Sequence, residues 1–446
     1  MSSKTKNIST KEESPPALVP RLRFPEFRDE AGWAKRQLSE ITTAIFDGTH
    51  QTPTYTDKGV PFYSVENLVS GNANKFISSA DYEIATKRNK PEKGDVLITR
   101  IGKIGYSQVV TWSHDFSIYV TLAVIKKDGR FNSQFLHQSI QSATYQKEIF
   151  SKSLLSAVPC KINMDSLRAT HVLLASPAEQ QKIAECLSSV DELIAAQARK
   201  LAALKTHKKG LMRQLFPREG ETQPRLRFPE FQNAGEWEEK KLGQLAKYTK
   251  GFPFKSQDYK NEGIRIVRVS DLGADFIKPN NEMIYIRSES EHEYERYKLT
   301  ASEIIVTTVG SKAELVDSAV GRGIYVYSNN EGLLNQNLLK LEVLTGVNSR
   351  FLFAHINTPE YQRFIASISR GNANQANIAV KDLMGFTIKA PHQAEQQRIA
   401  DCLTSLDDLI AAQTQKLEAL KTHKKGLMQQ LFPSRPHPVA AIPIYI

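Results

Sequence analysis

RIGKIGYS, at residues 100–107, comes nearest in this 446-residue chain to a phosphate-binding cradle. Such a cradle needs glycines spaced so that several backbone N–H groups turn onto one phosphate, with Lys and Ser or Thr directly behind. The spacing here does not fit, and VGSKAEL (309–315) fits no better. Base methylation would call for a glycine-rich cofactor loop with an N/D-P-P-aromatic or Pro-Cys motif; only a bare VPC stands at 158–160. A metal-dependent nuclease would cluster carboxylates and a lysine behind a strand, and EKGDVLITR (92–100) supplies the strand without the cluster. His207 and His423 merely repeat on a helix surface. Cys160, Cys186 and Cys402 have neither disulfide-framework nor zinc-ligand spacing. The residues therefore imply no catalytic group, no metal and no cofactor.

What remains is a set of mainly polar and basic side chains beside turns. In the first half these are Thr49, His50 and Gln51, then Arg88 and Lys90, then Arg100, Lys103 and Tyr106. In the second they are Lys250, Phe254, Lys255, Arg268, Ser311 and Lys312, followed by Asn335, Gln336 and Asn337, and by Arg370, Asn372, Asn374 and Gln375. Arg, Asn and Gln pair with base edges in a major groove, while Lys more often meets phosphate. A solvated turn residue is the plainer reading of any one of them alone. A net charge of +11 and a pI near 9.3 favour a polyanionic partner for the set.

The elements that must position these residues are organised around two near-copies of one helical stretch. QQKIAECLSSVDELIAAQARKLAALKTHKKGLMRQLFP begins at Gln180, and QQRIADCLTSLDDLIAAQTQKLEALKTHKKGLMQQLFP begins 216 residues later at Gln396. Apolar residues recur at steps of four and three through Ile183, Leu187, Val190, Ile194, Leu201, Leu204, Leu211 and Leu215. The second copy repeats them at Ile399, Leu403, Leu406, Ile410, Leu417, Leu420, Leu427 and Leu431. Gln197 and Lys208 break the first seam where Gln413 and Lys424 break the second. A 3.5-residue apolar period sustained this long is a coiled-coil seam, and the simplest partner for either helix is the other.

A second repeated phrase, PRLRFPEF, opens at Pro20 and again at Pro224, followed by Trp33 and by Trp237. The chain is thus one unit used twice: a lead-in segment, a globular domain and a long helix. A period above 200 residues means domain duplication. Short apolar runs at 60–65, 95–102, 106–112 and 118–126, separated by glycine turns, make the first domain strand-rich, with a helix over 133–150. The runs 263–272, 303–310, 323–328 and 338–344, with a helix over 348–368, give the second the same order. Outside the repeated phrases the two domains share little sequence, so the frame is duplicated and the content is not. No apolar run approaches the roughly 20 residues of a membrane span, and the polar start lacks a signal-peptide core. A cytoplasmic protein is expected, with a disordered leader at 1–19 and a loose proline-rich tail at 434–446.

Three features resemble the specificity subunits of type I restriction–modification enzymes. They are the repeated LRFPEF…W…L, the run DGTHQTP…KGVPF…VENL with GDVLITRIGKIG behind it, and the EQQKIA…KGLMQQLFP helix that closes each half. The resemblance implies an α+β fold in which two strand-rich target-recognition domains, 20–176 and 218–390, are separated by long spacer helices, 177–217 and 391–433. The helices would pair as an antiparallel coiled coil within a quasi-twofold duplication. It further implies that each domain reads one half of a bipartite, asymmetric site on double-stranded DNA. The helices would set the spacer and dock two methyltransferase subunits, restriction subunits would join that core, and this subunit would catalyse nothing. The second domain departs at GFPFKSQDY (251–259), where the first has DGTHQTPTY (47–55). Two other readings stay open on the residues alone: a coiled-coil scaffold whose domains bind protein, and the separate recognition subunit of a combined restriction–methylation enzyme.

Overall fold

The computed structural model describes residues 18–72, 74–273, 276–278, 282–311, 320–372 and 375–433. The proposed leader and tail, Lys312 and Asn374 therefore lie, wholly or nearly so, outside the described residues. Two helices of 39 residues stand out, α1 (Pro177–Leu215) and α2 (Gln393–Leu431). The chain divides into two compact units that differ from the two sequence repeats. One draws its described residues from Met1–Ala198 and Gln415–Ile446, the other from Arg199–Thr414. Each helix thus begins in one unit and ends in the other.

In the first unit a four-stranded antiparallel sheet runs in the order Ile45–Asp47, Leu122–Ile125, Val96–Thr99, Ser107–Val109. Its middle strands are buried on both faces, which explains their unbroken apolar sequence. One face packs on Ile140, Tyr145 and Ile149, the other on Tyr63, Phe116 and Ile118. A smaller sheet holds Val60–Tyr63 parallel to Ser117–Ile118. The helix expected over 133–150 is two helices, Ser133–Gln141 and Ala143–Ser151. Ser142 sits extended between them, and its hydroxyl accepts from the Tyr145 N–H, so a good N-cap interrupts an otherwise helical pattern.

The second unit repeats this plan. Its sheet runs Ala246–Lys250, Leu338–Val343, Ile304–Thr307, Gly323–Tyr325, with Ile264–Val267 parallel to Leu333–Leu334 beside it. Its helix is also split, into Ser349–His355 and Pro359–Ile368, because Thr358 caps a new start at Pro359. Both domains close with an antiparallel pair: Ala34–Gln37 with His171–Leu174, and Glu238–Lys241 with Thr387–Ala390.

Within each unit the two helices pair antiparallel. In the first unit Ile183 and Leu187 of α1 share a core with Leu427 and Leu431 of α2, and Lys424 reaches Asp191 at 2.7 Å. In the second, Leu211 and Leu215 of α1 meet Ile399 and Leu403 of α2, and Lys208 pairs with Asp407. Every seam residue of both copies is buried or half-buried. The lysine breaks in the seam are thus satisfied by aspartates at repeat-equivalent positions, which fits a role in fixing register.

The repeated phrases tie each domain to its helices. Arg23 of LRFPEF donates two bonds to Glu179, at 2.9 and 2.8 Å, and two more to the carbonyls of Glu30 and Ala31. Arg227 does the same to Glu395, Ala234 and Gly235. The glutamine pair that follows each of these glutamates grips the domain helix. Gln180 accepts from the Asn132 N–H and Gln181 from its side chain, as Gln396 and Gln397 do from Asn348. Arg23 and Glu179 are both buried, so Arg23→Met strands a carboxylate and is expected to cost about 3–5 kcal/mol. Adding Glu179→Met should restore most of that loss. Denaturant unfolding of the single and double variants measures both steps.

Candidate nucleic-acid interface

Four segments of the first unit meet at one end of its main sheet. Strand Ile45–Asp47 ends there and leads into Gly48 and Thr49, which run against Ser117–Ile118. The Thr49 N–H donates to the Ile118 carbonyl at 3.1 Å, and the Val120 N–H to the Thr49 carbonyl at 3.0 Å. The approach is so close that a Cβ on Gly48 would lie 2.0 Å from the Ile118 oxygen, so only glycine fits. The hairpin over 99–107 reaches the same end. The Arg100 N–H donates to the Thr121 carbonyl at 2.9 Å, and the Gly102 N–H to the Cys160 carbonyl at 2.8 Å. Loop 154–162 completes the set, with the Ile162 N–H on the Arg100 carbonyl at 2.9 Å.

The second unit builds the same end bond for bond. A Cβ on Gly251 would lie 1.9 Å from the Asn335 oxygen. The Phe252 N–H donates to Leu334, the Gln336 N–H to Phe252, the Thr308 N–H to Asn337 and the Ile378 N–H to Thr308, at 2.8–3.0 Å. These bonds align Gly251 with Gly48, which sets the register between GFPFKSQDY and DGTHQTPTY. They also align Phe252 with Thr49, Gln336 with Val120, Asn337 with Thr121 and Thr308 with Arg100. In the closing loops Arg370 pairs with Asn377 as Leu154 pairs with Lys161. One backbone frame therefore presents different side chains in the two units.

Most of the residues singled out from sequence gather at these two ends. His50, Gln51 and Lys103 are exposed in the first unit, with the Lys103 ammonium 5.3 Å from the centre of the half-buried Tyr106 ring. Thr49 is half-buried. Lys250, Gln336, Asn337, Arg370, Asn372 and Gln375 are exposed in the second, and Arg370 pairs with Asp382 at 2.9 Å. Four expectations are corrected. Arg100 is 7% exposed; it bonds Asp47 at 2.9 Å and the carbonyls of Val120 and Ile162. Burial pulls its guanidinium below the ordinary arginine range while Asp47 opposes the shift. It positions the loop and is withdrawn from the surface. Phe254 is a core ring against Phe252 and Tyr294. Ser311 and Asn335 are also buried, the latter accepting from the Gln336 N–H.

Lys90 is placed elsewhere. Its backbone carbonyl accepts from Lys126, at the opposite end of the sheet, and its ammonium pairs with Asp115 at 2.9 Å. That bond, followed by one to Tyr82, pushes its pKa up. Arg88 is exposed two residues away. This opposite end is already engaged, since Asp95 and Glu92 neutralise Lys126 and Asn132 is gripped by α1. Arg268 is half-buried, with its guanidinium on Asp271 and the Glu282 carbonyl, and Asp271 raises its pKa. Lys255 is exposed. The sequence reading missed Tyr119, Lys161 and the loop residues Leu154, Leu155 and Val158.

Among the described residues no group of three or more His, Cys, Asp or Glu side chains is placed to hold a metal, and no helix is long and apolar enough to cross a membrane. The sequence model of a family described as "Type I restriction modification DNA specificity domain" matches residues 30–206 and again 234–422. The chain is 22% identical to the type I restriction enzyme MjaVIII specificity subunit of Methanocaldococcus jannaschii, over 83% of this chain and 84% of that one. It is 24% identical to the putative MjaX specificity subunit of the same organism, over 90% and 92%. In fold it is similar to the S subunit of a type I restriction–modification system from M. genitalium, with a TM-score of 0.58 at 14% identity, over 94% of this chain and all of that one. With two matched segments covering most of its length, the chain belongs to the type I restriction–modification DNA specificity family.

Proposed function

We propose that the chain is the DNA-reading, non-catalytic subunit of a cytoplasmic type I restriction–modification complex. Each domain reads one half of a split, asymmetric site on double-stranded DNA through the sheet end described above. The long helices set the gap between the half-sites and carry two methyltransferase subunits, which restriction subunits join. The observation that supports this most is the identical backbone frame bearing different side chains: Gln336 and Asn337 stand where the first domain has Val120 and Thr121, and Asn377 where it has Lys161. Two copies of one reader need a common frame, and two different half-sites need different donors and acceptors on it. The helices, which meet repeated partners, stay nearly the same.

A fragment holding residues 1–217 tests the modular reading. In the intact chain the seam of Ile183 and Leu187 is covered by Leu427, Leu431 and Phe432 of α2. A second copy offers Leu211, Leu215 and Phe216 in the same order. The fragment is therefore expected to form a homodimer and to bind a palindrome made of the first half-site twice. Sedimentation showing a monodisperse monomer, or a dimer indifferent to the palindrome, would contradict this.

A further inference from the structure

Loop 154–161 of the first unit differs from its counterpart in a way that polar base-reading does not explain. Val158 is 100% exposed, Leu155 58% and Leu154 47%. Three large apolar side chains within five residues are thus held in water, forgoing the stabilisation that burial of apolar surface gives. The loop is not a loose connector. Its base is closed by the Leu154 N–H on the Lys161 carbonyl at 2.7 Å, the Ala157 N–H on the Leu154 carbonyl, and the bond from Gly102 to Cys160. A rigid loop with an apolar tip is built to meet something, since clustered apolar exposure marks an interaction site.

Its surroundings indicate what. The tip stands at the sheet end occupied by His50, Gln51 and Lys103. Exposed Lys161 flanks it, and residues 152–164 contain no acidic side chain. A polyanion suits that setting better than an apolar protein surface does. We propose that Leu155 and Val158 form a wedge that enters the base stack of the first half-site, while Lys161 and Lys103 hold the flanking phosphates. This rests on the DNA-reading role proposed above. Apolar side chains inserted at a base step unstack and kink the duplex, and pyrimidine–purine steps yield most easily. The counterpart loop in the second unit, RGNANQAN at 370–377, has no large apolar residue. The first half-site is read partly by its deformability, the second by polar contacts alone.

The test uses the full chain bound to its methyltransferase subunits, on duplexes carrying its methylated motif with 2-aminopurine placed step by step through each half-site. The expected result is a several-fold rise in fluorescence at one step of the first half-site and none in the second. The double variant Leu155→Ser, Val158→Ser should abolish the rise. It should also weaken specific binding roughly tenfold, the loss typical of a mismatched base pair, with affinity for unrelated DNA unchanged. Both side chains point into solvent, so the variant keeps the fold. Specific binding without any rise would overturn the wedge, as would a variant that retains both signals. A variant that no longer joins the methyltransferase subunits would assign the loop to protein docking and overturn it too. Absence of sequence-specific binding by the unaltered complex would instead remove the DNA-reading role itself.

Discussion

Exchanging residues 33–175 for the recognition domain of another family member changes one half of the methylated motif and leaves the other half intact. The anchors make the exchange feasible. Arg23 and Glu179, which lock the lead-in segment to α1, lie outside the exchanged stretch. The incoming domain should keep an asparagine at the Asn132 position for Gln180 and Gln181 to grip, an aromatic pair like Trp33 and Phe135 to pack beside Phe432, and donors like Gln138 and Thr144 for Asp191 and the Pro433 carbonyl. The second unit, with its own sheet, core and helix contacts, is untouched. The expected change is complete: every specified base of one half-site is replaced. Motif sequencing from cells that express the hybrid reads it directly, and simultaneous change in both halves would contradict two independent readers.

Lengthening both helices by one heptad widens the gap in the motif without altering its specified bases. The insertions go between Leu204 and Leu211 of α1 and between Leu420 and Leu427 of α2, which keeps each leucine on the seam. Seven residues add about 10 Å, equivalent to about three base pairs of duplex at roughly 3.4 Å each. With tilt and supercoiling the unspecified gap grows by about one to three bases. Four inserted residues act differently. They rotate Leu211 and Leu427 off the seam, part Lys208 from Asp407 and Lys424 from Asp191, and should lower the unfolding temperature sharply. An active heptad variant that methylates the original motif with its original gap would show that the helices do not measure it.

The architecture was legible wherever the chain repeats itself. The seam residues from Ile183 to Leu215 and from Ile399 to Leu431 carry a period that only a long paired helix satisfies, and the central strands Val96–Thr99 and Leu122–Ile125 announce themselves as apolar runs. Local capping was less visible. Ser142 splits a helix through one side-chain hydrogen bond, a competition that apolar periodicity does not register. The interface was legible as a class of residues but not as individuals. Arg100 and Lys103 look alike in sequence, yet Asp47, 53 residues before Arg100, draws that arginine inward and leaves Lys103 outside. Phe254 stands beside a turn in sequence, but Phe252 and Tyr294 form a ring cluster around it. The apolar tip of loop 154–161 stands out only once its exposure is seen beside the polar counterpart at 370–377, because neither loop carries a period that marks which side chains face water.

Whether one chain reads two different half-sites across a gap is written in the methylated motif itself. Adenine-methylation sequencing of cells with and without this gene, its methyltransferase partner present in both, should reveal a motif that depends on the chain. The expected motif is two short groups of specified bases, unlike each other, separated by a fixed run of unspecified ones. A contiguous motif, a palindromic one, or methylation that persists unchanged without the chain would contradict it.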